Sequence, residues 1–265
     1  MNNTLHYLRY LNTCKELVLA DLTVFRQTLG NKVIDMAIWV ALTVFVTGYI
    51  MPYFGLSENF GVFQFGGVLA SMGLFELYSN VFELTADLEG DRVINYGLTL
   101  PIPSWMAIMS KSAYYAITYF ILTLIMLPIG KMCLWNQLSL QDIAYGKLCI
   151  ALILQSIFYA CFVPWTVTRI SGLSNLNSVW ARFIFPMWFM GGFQFSWMSF
   201  HHVLPFCAYM DLVNPMVYVT ESTRAALLGQ EGYLNFWLCC GALTFFSILC
   251  AWHALKRMKN RLDFV

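Results

Sequence analysis

The chain has 265 residues, of which 59% are hydrophobic and 11% charged, with a formal net charge of +1. Soluble domains carry about 25% charged residues, so this composition excludes an ordinary water-soluble globule: there is too little polar surface to coat a core of this size. The near-neutral balance, with Lys and Arg spread along one predicted edge of the chain rather than gathered in a patch, also gives no support for nucleic-acid binding.

Residues 3–29 are too charged to cross a bilayer but strongly patterned. Leu8, Leu11, Cys14, Val18, Leu22, Phe25 and Leu29 form an apolar stripe at helical spacing, with Arg9, Glu16, Thr23 and Arg26 elsewhere on the wheel. This pattern predicts an amphipathic helix lying in the inner membrane interface. Gly30-Asn31 is expected to end it. Asp35, at the entrance of the stretch that follows, is spaced to pair with Lys32.

Spanning a bilayer takes about 20 consecutive apolar residues, since a helix rises about 1.5 Å per residue across about 30 Å of hydrocarbon. Six stretches meet that test: Met36 to Leu56, Phe60 to Phe82, the segment between Lys111 and Lys131, that between Lys147 and Arg169, Phe183 to Phe200, and Gly232 to Trp252. Runs such as Ala151 to Phe158 are continuously apolar rather than alternating, which argues for helices over barrel strands. The expected fold is therefore an all-α polytopic membrane protein, one transmembrane domain over residues 1–265 with six transmembrane helices.

Basic residues set the orientation. They concentrate in the N-terminal segment, in the second-to-third and fourth-to-fifth connections, and in the C-terminal Lys256, Arg257, Lys259 and Arg261. Both termini are thus expected in the cytoplasm of a cell bounded by a bacterial-type inner (plasma) membrane. No short apolar core with a small-residue cleavage site begins the chain, so the first span is expected to act as an uncleaved signal.

The longest cytoplasmic connection, residues 83–111, opens on Glu83, Asp87, Glu89 and Asp91 and continues through Arg92, Asn95-Tyr96-Gly97, Pro101 and Pro103. The turn residues predict irregular chain around a short helix over 86–96. Val93, Ile94, Leu98 and Trp105 are too apolar for a loop that meets only water, and suggest a docking surface for a cytoplasmic partner.

The fifth stretch contains Pro186 and the break Gly191-Gly192, followed by His201-His202, Pro205, Asn214-Pro215 and a helical run to Gly229. Pro and Gly at membrane depth mark irregular backbone buried in protein, and the expectation is a re-entrant helical hairpin over 198–230, between spans five and six. On it Glu221 and Arg224 sit three residues apart, the spacing of an ordinary helix salt bridge, and they would also fix the hairpin as an outer gate. Glu76 lies inside span two. It is either a gating or substrate-path group or a carboxyl hydrogen-bonded between helices.

No Walker A, H-E-x-x-H or G-x-S-x-G pattern is present, so the sequence offers no catalytic group, no metal site and no cofactor of its own. Cys133 and Cys207 alone fall in predicted external loops; a disulfide or two free thiols both fit.

The order Phe185-Pro186, Gly191-Gly192, Leu204-Pro205, Asn214-Pro215-Met216-Val217-Tyr218, Glu221 and Arg224 resembles the C-terminal pattern of the permease subunits of type-2 ABC exporters. Asp91-Arg92, Gly97-Leu98, Pro101 and Pro103-Ser104 are similar to that family's loop before span three. The family's small-residue pair is often Ser-Gly, whereas this chain has Gly191-Gly192, and Asn31 to Trp39 lacks the basic-Gly-Trp-Pro signature of the polysaccharide branch. The resemblance covers nearly the whole chain. It implies a transport subunit, not an enzyme, that moves a lipid, lipid-linked glycan or drug-like molecule outward. Mg-ATP would be bound and hydrolysed by separate ABC ATPase subunits, and a second permease copy or a paralogue would complete the pore. It further implies that Asp87, Glu89, Asp91, Arg92, Gly97 and Pro101 couple to the ATPase. Glu76, Gly191, Gly192, Asn214, Pro215, Glu221 and Arg224 would line or gate the path. An ATP-independent carrier, an intramembrane lipid-modifying enzyme and a non-catalytic membrane scaffold are the competing classes.

Overall fold

The computed structural model describes residues 2–89, 102–170 and 172–262, with side chains from residue 9 to residue 258 of those except Ser104. Every regular element among these residues is a helix, and among them there is no strand. Among the described residues five helices are long and apolar enough to cross a membrane, which makes this a multi-pass helical membrane protein.

Helix α1, Asn2–Phe45, has 44 residues, about 66 Å at the usual rise and twice the hydrocarbon thickness. The predicted interfacial helix and the first span are therefore one element, and the break expected at Gly30-Asn31 is absent. The cause is tertiary. One side of the charged half of α1 packs along the next-but-one helix: Tyr10, Cys14 and Leu17 cover Ile102, Met106 and Ala107, whereas Leu11 of the predicted stripe is exposed. Further along, Phe25 meets Tyr114 edge-on with ring centroids 6.4 Å apart, and Asp21 pairs with Lys111 at 2.8 Å. One glycine costs a helix only about 1 kcal/mol, less than burying one such apolar side chain returns, about 1.5–3 kcal/mol. A π turn, Val46–Ile50, and a 3₁₀ turn, Met51–Phe54, end α1, and Gly55 (φ +96°) reverses the chain.

Helix α2, Phe60–Glu89, is the buried centre of the bundle. Small residues let its neighbours approach closely: a Cβ on Gly61 would come 2.5 Å from the Gly48 backbone, and one on Gly73 would lie 2.2 Å from the Tyr159 ring. α2 continues past the predicted end of span two, so Glu83, Asp87 and Glu89 lie on helix rather than in a loop. Helix α3, Ser104–Cys133, begins ahead of Lys111, which shortens the predicted 83–111 connection from both sides. Residues 90–101, with Asp91, Arg92, Gly97, Pro101 and most of the predicted short helix, lie outside the described residues. Helix α4, Tyr145–Val167, matches the predicted fourth span within two residues.

The predicted fifth span, Phe183 to Phe200, is not one helix. Its helical run, α5 (residues 176–190), consists of Leu176–Val179, a π segment Trp180–Ile184 and Phe185–Met190. That is about 22 Å, short of a full crossing. The chain turns at Gly191-Gly192 and continues as α6 (Trp197–Val203), α7 (Pro205–Asp211) and α8 (Pro215–Leu227). Helix α9, Phe236–Leu262, is the last span.

One end of the bundle carries the connections 46–59, 134–144 and 228–235; the other carries the charged half of α1, residues 168–175 and the basic end of α9. α6 and α7 run from the first of these, the loop end, back along the outside of the bundle with most of their residues exposed, and α8 returns: Asn214 lies by Met187, and Ala226 O accepts from Ala144 N. Every residue of α8 from Met216 to Leu227 is buried, against α2, α4 and α9.

Candidate functional site

A helix buried on all sides has no solvent for its polar residues, so each must find a partner inside. α8 carries Thr220, Glu221, Ser222, Thr223 and Arg224, all fully buried. Arg224 crosses to the start of α2, passing over Gly66, where a Cβ would come 2.8 Å from its Cγ. Its guanidinium lies 3.7 Å above the Phe63 ring. Nε donates to Phe63 O (3.2 Å), Nη2 to Phe193 O (2.8 Å), and Nη1 to Phe195 O (3.0 Å) and to Gly192 O. Arginine is suited to this because its fork presents five donors in fixed geometry.

Glu221 faces other partners. Oε1 accepts from Trp197 N (2.9 Å) at the start of α6, and Oε2 from Leu234 N (2.8 Å) just ahead of α9. A carboxylate satisfies the orphan N–H groups of helix starts and complements their positive dipole ends. The helix salt bridge expected from the spacing of Glu221 and Arg224 is therefore not formed. Each charge ties down irregular backbone instead, while their closeness keeps the buried core neutral overall.

The remaining predicted gate residues other than Glu76 join this assembly. Asn214 caps α8 by accepting from Met216 N (3.0 Å), with Pro215 at the first helical position. Its Nδ2 donates to Met187 O (2.8 Å) and to Asp211 Oδ1 (3.1 Å). Thr220 Oγ1 donates to Gly191 O at 2.7 Å. A Cβ on Gly191 would stand 2.2 Å from Met216 Cβ, and Gly192 holds φ +80°, a conformation that glycine adopts without strain. Gly191, Gly192, Asn214, Pro215, Glu221 and Arg224, spread over more than thirty positions of sequence, thus form one clamp.

Glu76 lies outside it. It pairs with Lys32 of α1, so Lys32 is not the partner of Asp35 that its spacing suggests. Next to this pair is an aromatic cluster that sequence reasoning did not assemble: Trp39 against Phe75 (centroids 4.2 Å apart), Phe75 against Trp188 (5.8 Å) and Trp188 against Phe193 (4.4 Å). Trp188 Nε1 donates to Ser71 Oγ at 2.8 Å. Phe193 belongs to both groups, since its carbonyl is held by Arg224. The ion pair and the cluster lie along one lateral side of the bundle, made by α1, α2 and α5, where Ile38, Phe185 and Phe189 are exposed. No periodicity signals this face, because its members come from three helices.

Of the predicted coupling residues, Asp87 and Glu89 are on the last turns of α2. Glu89 Oε2 accepts from Leu173 N at 3.3 Å, tying the end of α2 to the turn that leads into α5. All eight cysteines are free, Cys133 and Cys207 included. His201 stacks on Trp197, centroids 5.1 Å apart, and no metal-binding cluster occurs among the described residues. No protein-family model, characterised protein or solved structure matches the chain.

Proposed function

We propose that this chain is the transmembrane permease subunit of an ATP-driven exporter of the type-2 ABC class, moving an amphipathic substrate out of the cytoplasm or inner leaflet. The observation that carries the reading is the clamp. A broken fifth helix, a helical hairpin whose returning helix α8 is buried in the bundle and the last span are joined through Glu221 and Arg224 to the first turns of α2.

On this reading the charged end is cytoplasmic, with both termini there, and α6–α8 are a re-entrant hairpin at the outer side. The coupling region is the end of α2, with Asp87 and Glu89, and the following segment with Asp91, Arg92, Gly97 and Pro101. Separate ABC ATPase subunits bind it and hydrolyse Mg-ATP; this chain is a transport subunit rather than an enzyme. Motion imposed there travels along α2 as a rigid rod. Because Phe63 O is held by Arg224 and Gly66 packs under that side chain, the rod moves the hairpin with it. The substrate follows the lateral face, whose Trp39, Phe75 and Trp188 suit an apolar body and whose Lys32–Glu76 pair can open to a polar head. A second permease copy or a paralogue closes that face from the other side.

Reversing the charges of Asp91 and Arg92 tests the coupling step. ATPase activity of the reconstituted complex is expected to lose its substrate stimulation while the variant still inserts and folds. Stimulation at the native level would overturn the assignment of this segment.

A further inference from the structure

A groove of about 510 Å³ opens on the side of the bundle, between α4, α5, the end of α7 and α9. Its size is within the range of small-molecule sites, about 300–1,000 Å³. Its walls include Met187, Met190, Met210, Phe246 and Leu249; methionines are soft and adapt to irregular apolar ligands. On α5 these positions are on the side opposite Phe185 and Trp188, so the groove is separate from the lateral aromatic face.

One lining residue does not fit an apolar groove. Asp211 is only 9% exposed. Its Oδ1 accepts from Asn214 Nδ2 at 3.1 Å, while its buried Oδ2 has no hydrogen-bond partner among the described residues. Asn214 has no donor left to offer, because its amide also serves Met187 O. Among the described residues the only basic one on the groove, Arg182, is exposed and forms no ion pair with Asp211. A buried carboxylate short of donors is costly in a low-dielectric surround. The chain supplies the charge and the apolar walls and leaves the donor to come from elsewhere.

We infer that this groove binds an amphipathic amine, with its apolar body against the methionines and Phe246 and its protonated nitrogen on Asp211. An ammonium brings three donors and a compensating charge; an alcohol of the same length would bring one donor and no charge. The inference does not depend on the exporter reading, and its test needs neither an ATPase nor transport.

The test is photolabelling of the full chain in lipid nanodiscs with dodecylamine carrying a terminal diazirine, followed by peptide mapping. Labels are expected on segments 187–190, 210–213 and 246–249, suppressed by excess dodecylamine but not by dodecanol. In Asp211→Asn, which keeps the shape and removes the charge, labelling there is expected to fall roughly tenfold or more, the usual effect of losing a charged hydrogen bond. Thermal unfolding reports whether that variant is folded. Met210→Trp, which fills the groove from its exposed rim and leaves Asp211 in place, is expected to block the same labels and decides the matter if Asp211→Asn is not folded. Native-level labelling in a folded Asp211→Asn or in Met210→Trp, equal competition by dodecanol, or labels spread over the lipid-facing sides of α1 and α9 would overturn it.

Discussion

Arg224 is fully buried and donates to four backbone carbonyls, in the first turn of α2 and in the turn 192–195. Replacing it with Met leaves those carbonyls without donors and Glu221 without a compensating charge. Removing one partner of a buried charge pair costs about 3–5 kcal/mol, and a correspondingly large fall in the thermal unfolding midpoint of the Arg224→Met chain in nanodiscs is the expected outcome. Arg224→Lys is expected to recover only a small part, since an ammonium cannot reproduce the planar fork; a Lys variant as stable as the native chain would show that charge alone matters. For Lys32 and Glu76 the pairing itself is the point. Lys32→Glu and Glu76→Lys singly are expected to destabilise the chain, and the double exchange to restore most of the loss, as read in a double-mutant cycle. Glu76, Glu221 and Arg224 are each conspicuous in the sequence as charges among apolar residues. Their partners are not, because a backbone carbonyl at position 63 or 193 carries no side-chain signature, and Lys32 is 44 positions away from Glu76.

Helix α1 shows where a local signal loses to packing. Gly30-Asn31 is a fair breaker in isolation, yet α1 runs through it, with Tyr10, Cys14, Leu17 and Phe25 packed on α3 ahead of it and Met36, Val40 and Val44 buried after it. Nothing lies within 4 Å of a Cβ placed on Gly30. Gly30→Ala is therefore expected to be neutral or stabilising by up to about 1 kcal/mol, and Gly30→Pro to cost about 3 kcal/mol or more; thermal unfolding of the two variants separates them. Equal tolerance of both would mean that α1 is already broken there. The fifth span shows the converse. Gly191-Gly192 is a break in the sequence and in the structure, but the apolar residues beyond it extend the predicted span because hydropathy does not register direction. Gly191→Ala, whose Cβ would collide with Met216, is expected to open the clamp and expose the hairpin to limited proteolysis.

Across the whole molecule, the class of protein and the position of most long helices follow from composition and length alone, because lipid demands long apolar helices whatever their role. The clamp depends on contacts between segments far apart in sequence, so only its members, and not its geometry, were legible. The lateral face was not, since its residues come from three different helices. What links these parts is α2, which reaches from the predicted coupling segment at the charged end to the hairpin at the loop end. The exporter account makes α2 the rod between an ATPase and the outer gate, and this is most directly tested by purifying the chain in mild detergent from its native membrane, with mass spectrometry and an ATPase assay on the eluate. The account predicts a stoichiometric partner bearing a Walker A sequence and vanadate-sensitive ATPase activity. A chain that purifies without any ATPase even after cross-linking would contradict it.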